Sequence, residues 1–591
     1  MSTTLPRSVF RLVLIKPSHY DDDGYVIQWW KSWIPSNSLA ALYGLARDCA
    51  SRRVLGDDVD IELEVYDETN TRIRVGDIIQ RVKASAAGGM VMLVGVQSNQ
   101  MPRALDLATE FRAAGLQVGI GGFHVSGTIA MLPERDPDVL RAEKLGVSLF
   151  AGEAEGRLEG VLQDAARGAL APLYNYMKDL PGVGGTPIPY LPSEQIARTV
   201  GRMTSFDAGR GCPYQCSFCT IINVQGRISR RRSADDIEAI VRENDAAGVH
   251  QYFITDDNFA RNKDWEQIFD RLIALRDEGI RISATIQVDT LCHKIPRFIE
   301  KAALAGVRRV FIGLENINPE SLVGAKKRQN KITEYRRMLL DWKEHRIITY
   351  AGYILGFPGD TRASIMRDLQ IIKTELPVDI LEFFLLTPLP GSEDHKVLWS
   401  KGVAMDADMN RYDLNHTCTD HPKMSRSEWE SVYRDAWRFY YSDDHMKTVQ
   451  KRAASVGIPP TKLLVYQMWF MGSIDIEGVH PLEVGYVRRK SRTVRRPGMP
   501  IEHPLVFYPK FALETLVKQA RWTWLWGKHG AASLVIRSRR KELQKTYADA
   551  AMAPVADDEA DKLSLFQSDA AKGFVAHQQK IAAITHAQPA A

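Results

Sequence analysis

The sequence predicts an α/β protein: an N-terminal doubly wound parallel sheet, a partial (β/α)6 barrel, and a mainly helical C-terminal region. Two observations carry this. Short apolar runs alternate with amphipathic stretches over residues 8–170 and again, with a longer period, over 201–400, and such alternation implies parallel strands joined by helical crossovers. Between the two series, residues 171–200 are rich in Pro and Gly and lack periodicity, which reads as a linker.

In the first series the strand-like runs are VFRLVLI, VDIELEVYD, VMLVGVQ, LQVGIGG and GVSLFAGE, with SLAALYGLARDC and RALDLATEFRAAG as helical partners. Ligands of such sheets sit at the carboxyl ends of the strands. The loop residues there are Lys16 to His19, Gln97 and Ser98 to Gln100, Gly121 and Gly122 to Ser126, and Gly152 and Glu153 to Glu155. In the second series TSFDA, YFITD, RISATI, RVFIGLE, ITYAGYILG and ILEFFLL are strand-like, and chemistry is expected at the barrel's C-terminal face. Residues 401–548 read as helical and aromatic without further strands; 549–591 are Ala-rich and polar, and a disordered tail is expected there.

Composition narrows the function classes. The 591 residues are 45% hydrophobic and 25% charged, as in ordinary globular protein, and Lys plus Arg exceed Asp plus Glu by only 77 − 72 = 5. Any basic patch is therefore local. Six cysteines cannot build a disulfide framework at this length, and no apolar stretch approaches the roughly 18 residues of a spanning helix. A cytoplasmic location is expected, where thiols stay reduced.

Three of the six cysteines, Cys212, Cys216 and Cys219, lie in RGCPYQCSFCT, just after the first barrel strand. Thiolates at this spacing can wrap one corner of an iron–sulfur cube, leaving the fourth iron open to an exogenous molecule. Zinc is the plainer alternative, but it wants a fourth Cys or His that this loop lacks. Cys49, Cys292 and Cys418 read as ordinary thiols.

This loop, with Phe218 before its last cysteine, resembles the CxxxCxxC signature of the radical S-adenosylmethionine (SAM) superfamily. The resemblance implies a [4Fe–4S] cluster whose open iron chelates SAM, and reductive cleavage to a 5′-deoxyadenosyl radical. It further implies that Asp256, Asp257 and Asn258 contact the methionine amino group, that Glu315 in GLEN bonds the ribose, and that Gly356 in YILGFPGDT permits close backbone approach. TPLPGS at 387–392 resembles the family's segment after the sixth strand, or is a simple turn.

The order of VGVQSNQ, GGFHVSG and AGEAEG before such a barrel resembles the cobalamin-binding radical SAM enzymes, a class that includes class B methyltransferases and the anaerobic Mg-protoporphyrin cyclases. The resemblance covers residues 8–400 and implies that residues 8–170 bind cobalamin through Gln97, Ser98, Gly121, Gly122, His124, Gly152 and Glu153. The alternative, a dinucleotide site, lacks its GxGxxG at the first βα turn. The DxHxxG motif that supplies a lower-face histidine to cobalt elsewhere is absent, and His124 is either a ligand or a satisfied loop histidine.

The resemblance implies methyl transfer to an unactivated carbon: the adenosyl radical removes a substrate hydrogen, methylcobalamin supplies the methyl group, and an external flavodoxin or ferredoxin supplies electrons. Rival readings are oxidative cyclisation or rearrangement on the same cofactors, an RNA methylthiotransferase, for which the N-terminal domain lacks the extra cluster's cysteines, and a non-enzymatic binding module. Nucleic acid is disfavoured. In the C-terminal region Trp429, Tyr433, Trp437 and Tyr440 or Tyr441 fall near one helical face and are expected to pack on the barrel. Further on, Trp522, Trp524 and Trp526 stand beside Lys528, Arg537 and Arg539 to Lys541, with Arg488 to Arg496 nearby. That combination suits peripheral contact with the inner face of a membrane and an apolar or lipid-derived small-molecule substrate.

Overall fold

The computed structural model describes residues 7–556 and 558–587. Its N-terminal strands are β1 (Ser8–Lys16), β2 (Gln28–Ser32), β3 (Val59–Asp67), β4 (Gly89–Leu93), β5 (Gln117–Gly121), β6 (Ser148–Ala151) and β7 (Leu173–Asn175). All but β2 form one sheet in the order β3-β1-β4-β5-β6-β7, every pairing parallel. β4, GMVML, is buried at all five positions because helices cover both faces. The sheet reverses its winding between β1 and β4, which opens a crevice at the carboxyl ends.

The second sheet contains β8 (Met203–Phe206), β9 (Gln251–Ile254), β10 (Ser283–Val288), β11 (Val307–Glu315), β12 (Ile348–Leu355) and β13 (Ile380–Leu385), parallel and in sequential order. Sequential order with a helix after each strand is the partial (β/α)6 barrel. Ser233 and Thr361 cap two of its outer helices, each hydroxyl accepting from a backbone N–H three residues on. The helix Arg426–Tyr440 packs on it through Trp429, Tyr433, Trp437 and Tyr440, all buried, and the helices Asp443–Ser455 and Pro460–Gly472 join the same core through Met446, Val449, Leu463 and Met468. The Tyr440 and Tyr441 hydroxyls donate to the carbonyls of Val378 and Leu381, so these rings are satisfied at both ends.

Three sequence expectations change. The stretch 171–200 is not wholly a linker, since Leu173–Asn175 closes the N-terminal sheet as its last strand. The C-terminal region does contain a strand, β14 (Gly485–Arg489), paired antiparallel with β2; neither has a partner close in sequence, so no local pattern marks them. The tail expected over 549–591 is ordered across its described part: Leu565 and Phe566 are buried, the backbone N–H groups of Ser564 and Leu565 donate to Glu375, and a helix covers Asp569–Ala587. Residues 588–591 of it lie outside the described residues.

Candidate active site

The cysteine loop leaves β8 and crosses the carboxyl end of the barrel. Cys216 is buried, and Cys212 and Cys219 are partly so. Burial pushes the Cys212 thiol up to about 11 and the Cys219 thiol up to about 12, so both are neutral unless a metal draws off the proton. Among the described residues, the group of three ligand atoms lying within 4.8 Å of one another is His124, Asp136 and Asp138, not the thiols. The three sulfurs do not all fall within that distance of one another. The Gln329 side-chain amide donates to the Cys216 sulfur at 3.5 Å, and the Lys327 ammonium lies 5.7 Å from the Phe218 ring centroid. Phe218 packs with Ala325, Ile354 and Phe357 and keeps that side of the loop dry. These donors fit a [4Fe–4S] cluster: three sulfurs, a cation to offset thiolate charge, and an apolar wall.

Of the other barrel positions, the fully buried Asp256 accepts from the Asn258 N–H at 3.0 Å and the Asn262 amide at 2.8 Å, and desolvation pushes its pKa up to about 6. Asp257, pushed up to about 7, accepts from the Gly211 N–H at 2.6 Å and so fixes the start of the cysteine loop. The Asn258 amide donates to Asp289 at 3.0 Å. Asp289 also takes both Arg261 nitrogens, at 2.6 and 2.8 Å, and the Tyr214 hydroxyl at 3.2 Å, which ties the cysteine loop to the ends of β9 and β10. Glu315 adopts φ +62° beside a register shift in β11 and pairs with Lys327. Such strain in a non-glycine residue gathers at functional sites.

Gly356 does something other than expected. A Cβ there would stand 2.0 Å from the Trp429 ring, so the glycine makes room for an indole rather than for an approaching ligand; the indole N–H donates to the Leu355 carbonyl. TPLPGS meets the N-terminal domain instead of lying free as a turn: a Cβ on Gly127 would be 2.7 Å from the Pro390 carbonyl.

At the carboxyl ends of β4, β5 and β6 an open cleft with a cavity volume of about 140 Å³ is lined by Leu93, Gly95, Gly121, Gly122, Phe150 and Gly152 among others. Gly122 has φ +149°, and a Cβ on it would lie 2.2 Å from the Val96 nitrogen, so only glycine lets the chain turn here. Glu153 lines the cleft but is already engaged, accepting from Arg210 at 2.8 Å and Arg230 at 2.7 Å. Arg210 also donates to Glu155 at 2.7 Å and Asp207 at 3.1 Å, all four side chains buried. This network clamps the two strand-end surfaces together. Gln97, Ser98 and His124 do not line the cleft: Gln97 is exposed, and Ser98 meets His124 Nδ1 at 3.3 Å. His124 is buried with Nε2 turned to Asp136 at 3.6 Å, too long for a hydrogen bond, and does not line the cleft.

Arg210, Asp289 and Lys327 are the residues that sequence reading missed. Arg210 is a lone arginine between two glycines, Lys327 stands in a basic run that looks like solvated surface, and Asp289 follows a strand with no motif around it. The glycine, amide and carboxylate at the strand ends are what a site motif leaves; their partners come from other strands.

Comparison with known proteins places this geometry. Residues 207–372 match the model of the radical SAM superfamily. The chain is 26% identical over 360 residues to bacteriochlorophyllide d C-12(1)-methyltransferase of Chlorobaculum tepidum, covering 59% of this chain and 74% of that protein. It is 25% identical over 202 residues to the hopanoid C-2 methylase of Rhodopseudomonas palustris, 33% of this chain and 37% of the relative. The fold is shared with TsrM of Kitasatospora setae, a radical SAM methyltransferase solved with cobalamin and a [4Fe–4S] cluster, at a TM-score of 0.55 and 15% identity over 78% of this chain and 99% of that one. Three cysteines at the required spacing, on the right loop of a barrel whose residues 207–372 match that model, show that the chain carries a radical SAM domain.

Proposed function

We propose that this enzyme is a cobalamin-dependent methyltransferase that acts on an unactivated carbon of a small molecule. The observation that supports it best is the meeting of two strand-end sites in one chain: the three-thiol loop of the barrel and the glycine-edged cleft of the N-terminal sheet, joined through Arg210, Glu153 and Glu155. Relatives named as methyltransferases point the same way.

Cys212, Cys216 and Cys219 would hold the cluster, and the cleft edged by Gly121, Gly122 and Gly152 would hold cobalamin. When bound, these groups supply the adenosyl radical and the methyl donor. The chain's own work is placement. Asp257 and Asp289 anchor the first half of the cysteine loop through Gly211 and Tyr214, Phe218 packs against its inner side, and the Lys327 ammonium offsets charge at the sulfurs. Asp256, Asp257 and Asn258 stand at the end of β9, where an ammonium group suits the carboxylates, although Asp256 is turned inward to hold its own loop. Electrons come from an external flavodoxin- or ferredoxin-type donor. Contact with a membrane face is a separate reading, because the C-terminal tryptophans and cations do not line the cleft.

The test incubates reconstituted enzyme, cobalamin and reductant with cell extract and methyl-labelled SAM under anaerobic conditions. Methyl transfer gives S-adenosylhomocysteine and 5′-deoxyadenosine together with a labelled product. Product with deoxyadenosine alone assigns the enzyme to oxidative cyclisation or rearrangement instead.

A further inference from the structure

The helix Pro504–Ser538 runs for 35 residues, about 50 Å at 1.5 Å per residue, and its faces reverse what water favours. The inward stripe holds polar and charged groups. Glu514 pairs with Lys490 at 3.1 Å and Lys518 at 2.9 Å, the Trp522 indole donates to Glu477 at 2.9 Å, and His529 and Ser533 are buried. Phe507 and Ile536 anchor its two ends, also buried. The outward stripe is apolar: Leu505 is 80% exposed, Leu513 64%, Leu516 68%, Trp524 71% and Leu534 57%. These positions recur at helical spacing on one face, and no charged residue shares it.

The cations lie beside that stripe, not on it. Lys510, Arg521 and Lys528 are eleven and seven residues apart, close to whole numbers of turns, so they line one flank; Arg537, Arg539, Arg540 and Lys541 gather at the C-terminal end. Between residues 501 and 541 there are eight Lys and Arg against two Glu. Lys510 and Lys528 pair with Glu502 and Asp443, and Arg539 with Glu542, which leaves Arg521, Arg537, Arg540 and Lys541 as the larger source of field. The basic run 488–496 contributes less than its sequence suggests, since Arg488 is held by Asp21 and Arg496 by Asp408. No described helix is long and apolar enough to cross a membrane. A long helix with an apolar outer face and cations on its flank is instead built to lie in the interfacial plane.

We infer that this face seats the enzyme in the plane of an anionic bilayer, and that its substrate is an apolar molecule taken from that bilayer. The second half rests on the reaction proposed above; the first stands without it. Charge complementarity selects the occupant: apolar side chains enter the headgroup boundary while the flank meets anionic lipid.

Flotation of the full chain, anaerobically reconstituted, with vesicles of equal phosphatidylglycerol and phosphatidylcholine tests the seat. Wild type floats at low salt, less at raised salt, and weakly with phosphatidylcholine alone. The pair Leu513→Glu with Leu516→Glu weakens binding by about tenfold or more, whereas Leu304→Glu with Val323→Glu, exposed apolar positions on other helices, leaves it unchanged. Brominated lipid quenches tryptophan emission, and Trp524→Phe removes much of that quenching. The inference is overturned if wild type stays unbound at low salt, if the control pair costs as much, or if wild type is a dimer in solution that the Leu513→Glu and Leu516→Glu pair dissolves. Substrate-free SAM cleavage is followed in the same samples and is unchanged in these variants. Its absence in wild type counts against the reaction and not against the docking.

Discussion

At the carboxyl ends of the barrel strands stand carboxylates, amides and thiols, whereas the N-terminal strands end in glycines and apolar side chains around open space. Both are six-stranded parallel sheets with chemistry at the same end. The difference follows from what each must hold. A small charged ligand and a metal cluster need fixed polar atoms, and these are costly unless each has a partner. A large flat group needs room, which only absent side chains give. One sheet is thus rigid through its hydrogen bonds and the other through its backbone turns, and substitutions at the two should fail differently.

The largest effect is expected at the thiols. Cys216→Ala should abolish cluster loading and SAM cleavage while leaving cobalamin binding intact, since no cysteine lines the N-terminal cleft. Iron and sulfide analysis after anaerobic reconstitution, beside the cobalamin absorption spectrum, measures both. Full loading in this variant, with unaltered cleavage, ends the cluster assignment; Cys49→Ala should change neither.

Next comes the clamp between the sheets. Arg210→Met leaves Glu155 buried without its cation, while Arg230 and Arg232 still reach Glu153 and Asp207. Breaking a buried pair from one side costs about 3–5 kcal/mol. Urea unfolding should show that loss; a change below about 1 kcal/mol would mean that the two surfaces are held by packing alone.

How much of this was legible depends on whether partners are near in sequence. β3 was readable residue for residue as VDIELEVYD, and the cysteine loop from its spacing, because both signals are local. Trp429, Tyr433 and Trp437 declared a buried face by helical spacing. Arg210 did not, because its meaning lies in carboxylates more than fifty residues earlier. Gly356 misled for the same reason: the ring it accommodates belongs to a helix that follows the barrel. The pairing of β2 with β14 spans most of the chain and leaves no local trace.

The pH dependence should belong to the barrel end. Desolvation raises the Asp256 pKa from 3.8 to about 6, so the folded state keeps this proton where the unfolded chain has lost it. The stability it contributes is complete below about pH 3.8 and is lost as pH rises through about 6, by at most about 3 kcal/mol. Asp256→Asn should flatten that segment of the stability curve. An unchanged slope would show that the buried carboxyl titrates normally.

In the N-terminal sheet the sensitive element is backbone. Gly122→Ala forces a Cβ to 2.2 Å from the Val96 nitrogen, at a φ that side chains rarely adopt, and should cost about 2 kcal/mol with loss of cobalamin retention. Gly160→Ala is the control: it sits in the helix Leu158–Ala166 with open space where its Cβ would be, and should be neutral or slightly stabilising.

The smallest effect on either cofactor is expected at His124. Its ring is fully buried, meets Ser98 at Nδ1 and Asp136 at Nε2, and does not line the cleft. Its removal leaves Asp136, itself 1% exposed, without that neighbour, although the Asp138 N–H still donates to the carboxylate at 2.9 Å. His124→Ala should therefore cost about 1–3 kcal/mol of stability, the price of an under-satisfied buried group, and leave the absorption spectrum of bound cobalamin unchanged. Cobalt coordination and stability are thereby separated in one variant. A shifted spectrum at unchanged cofactor content would move His124 from the sheet's internal packing to the cobalt, and would require the helix Phe123–Met131 to turn its first residues toward the cleft when the cofactor binds.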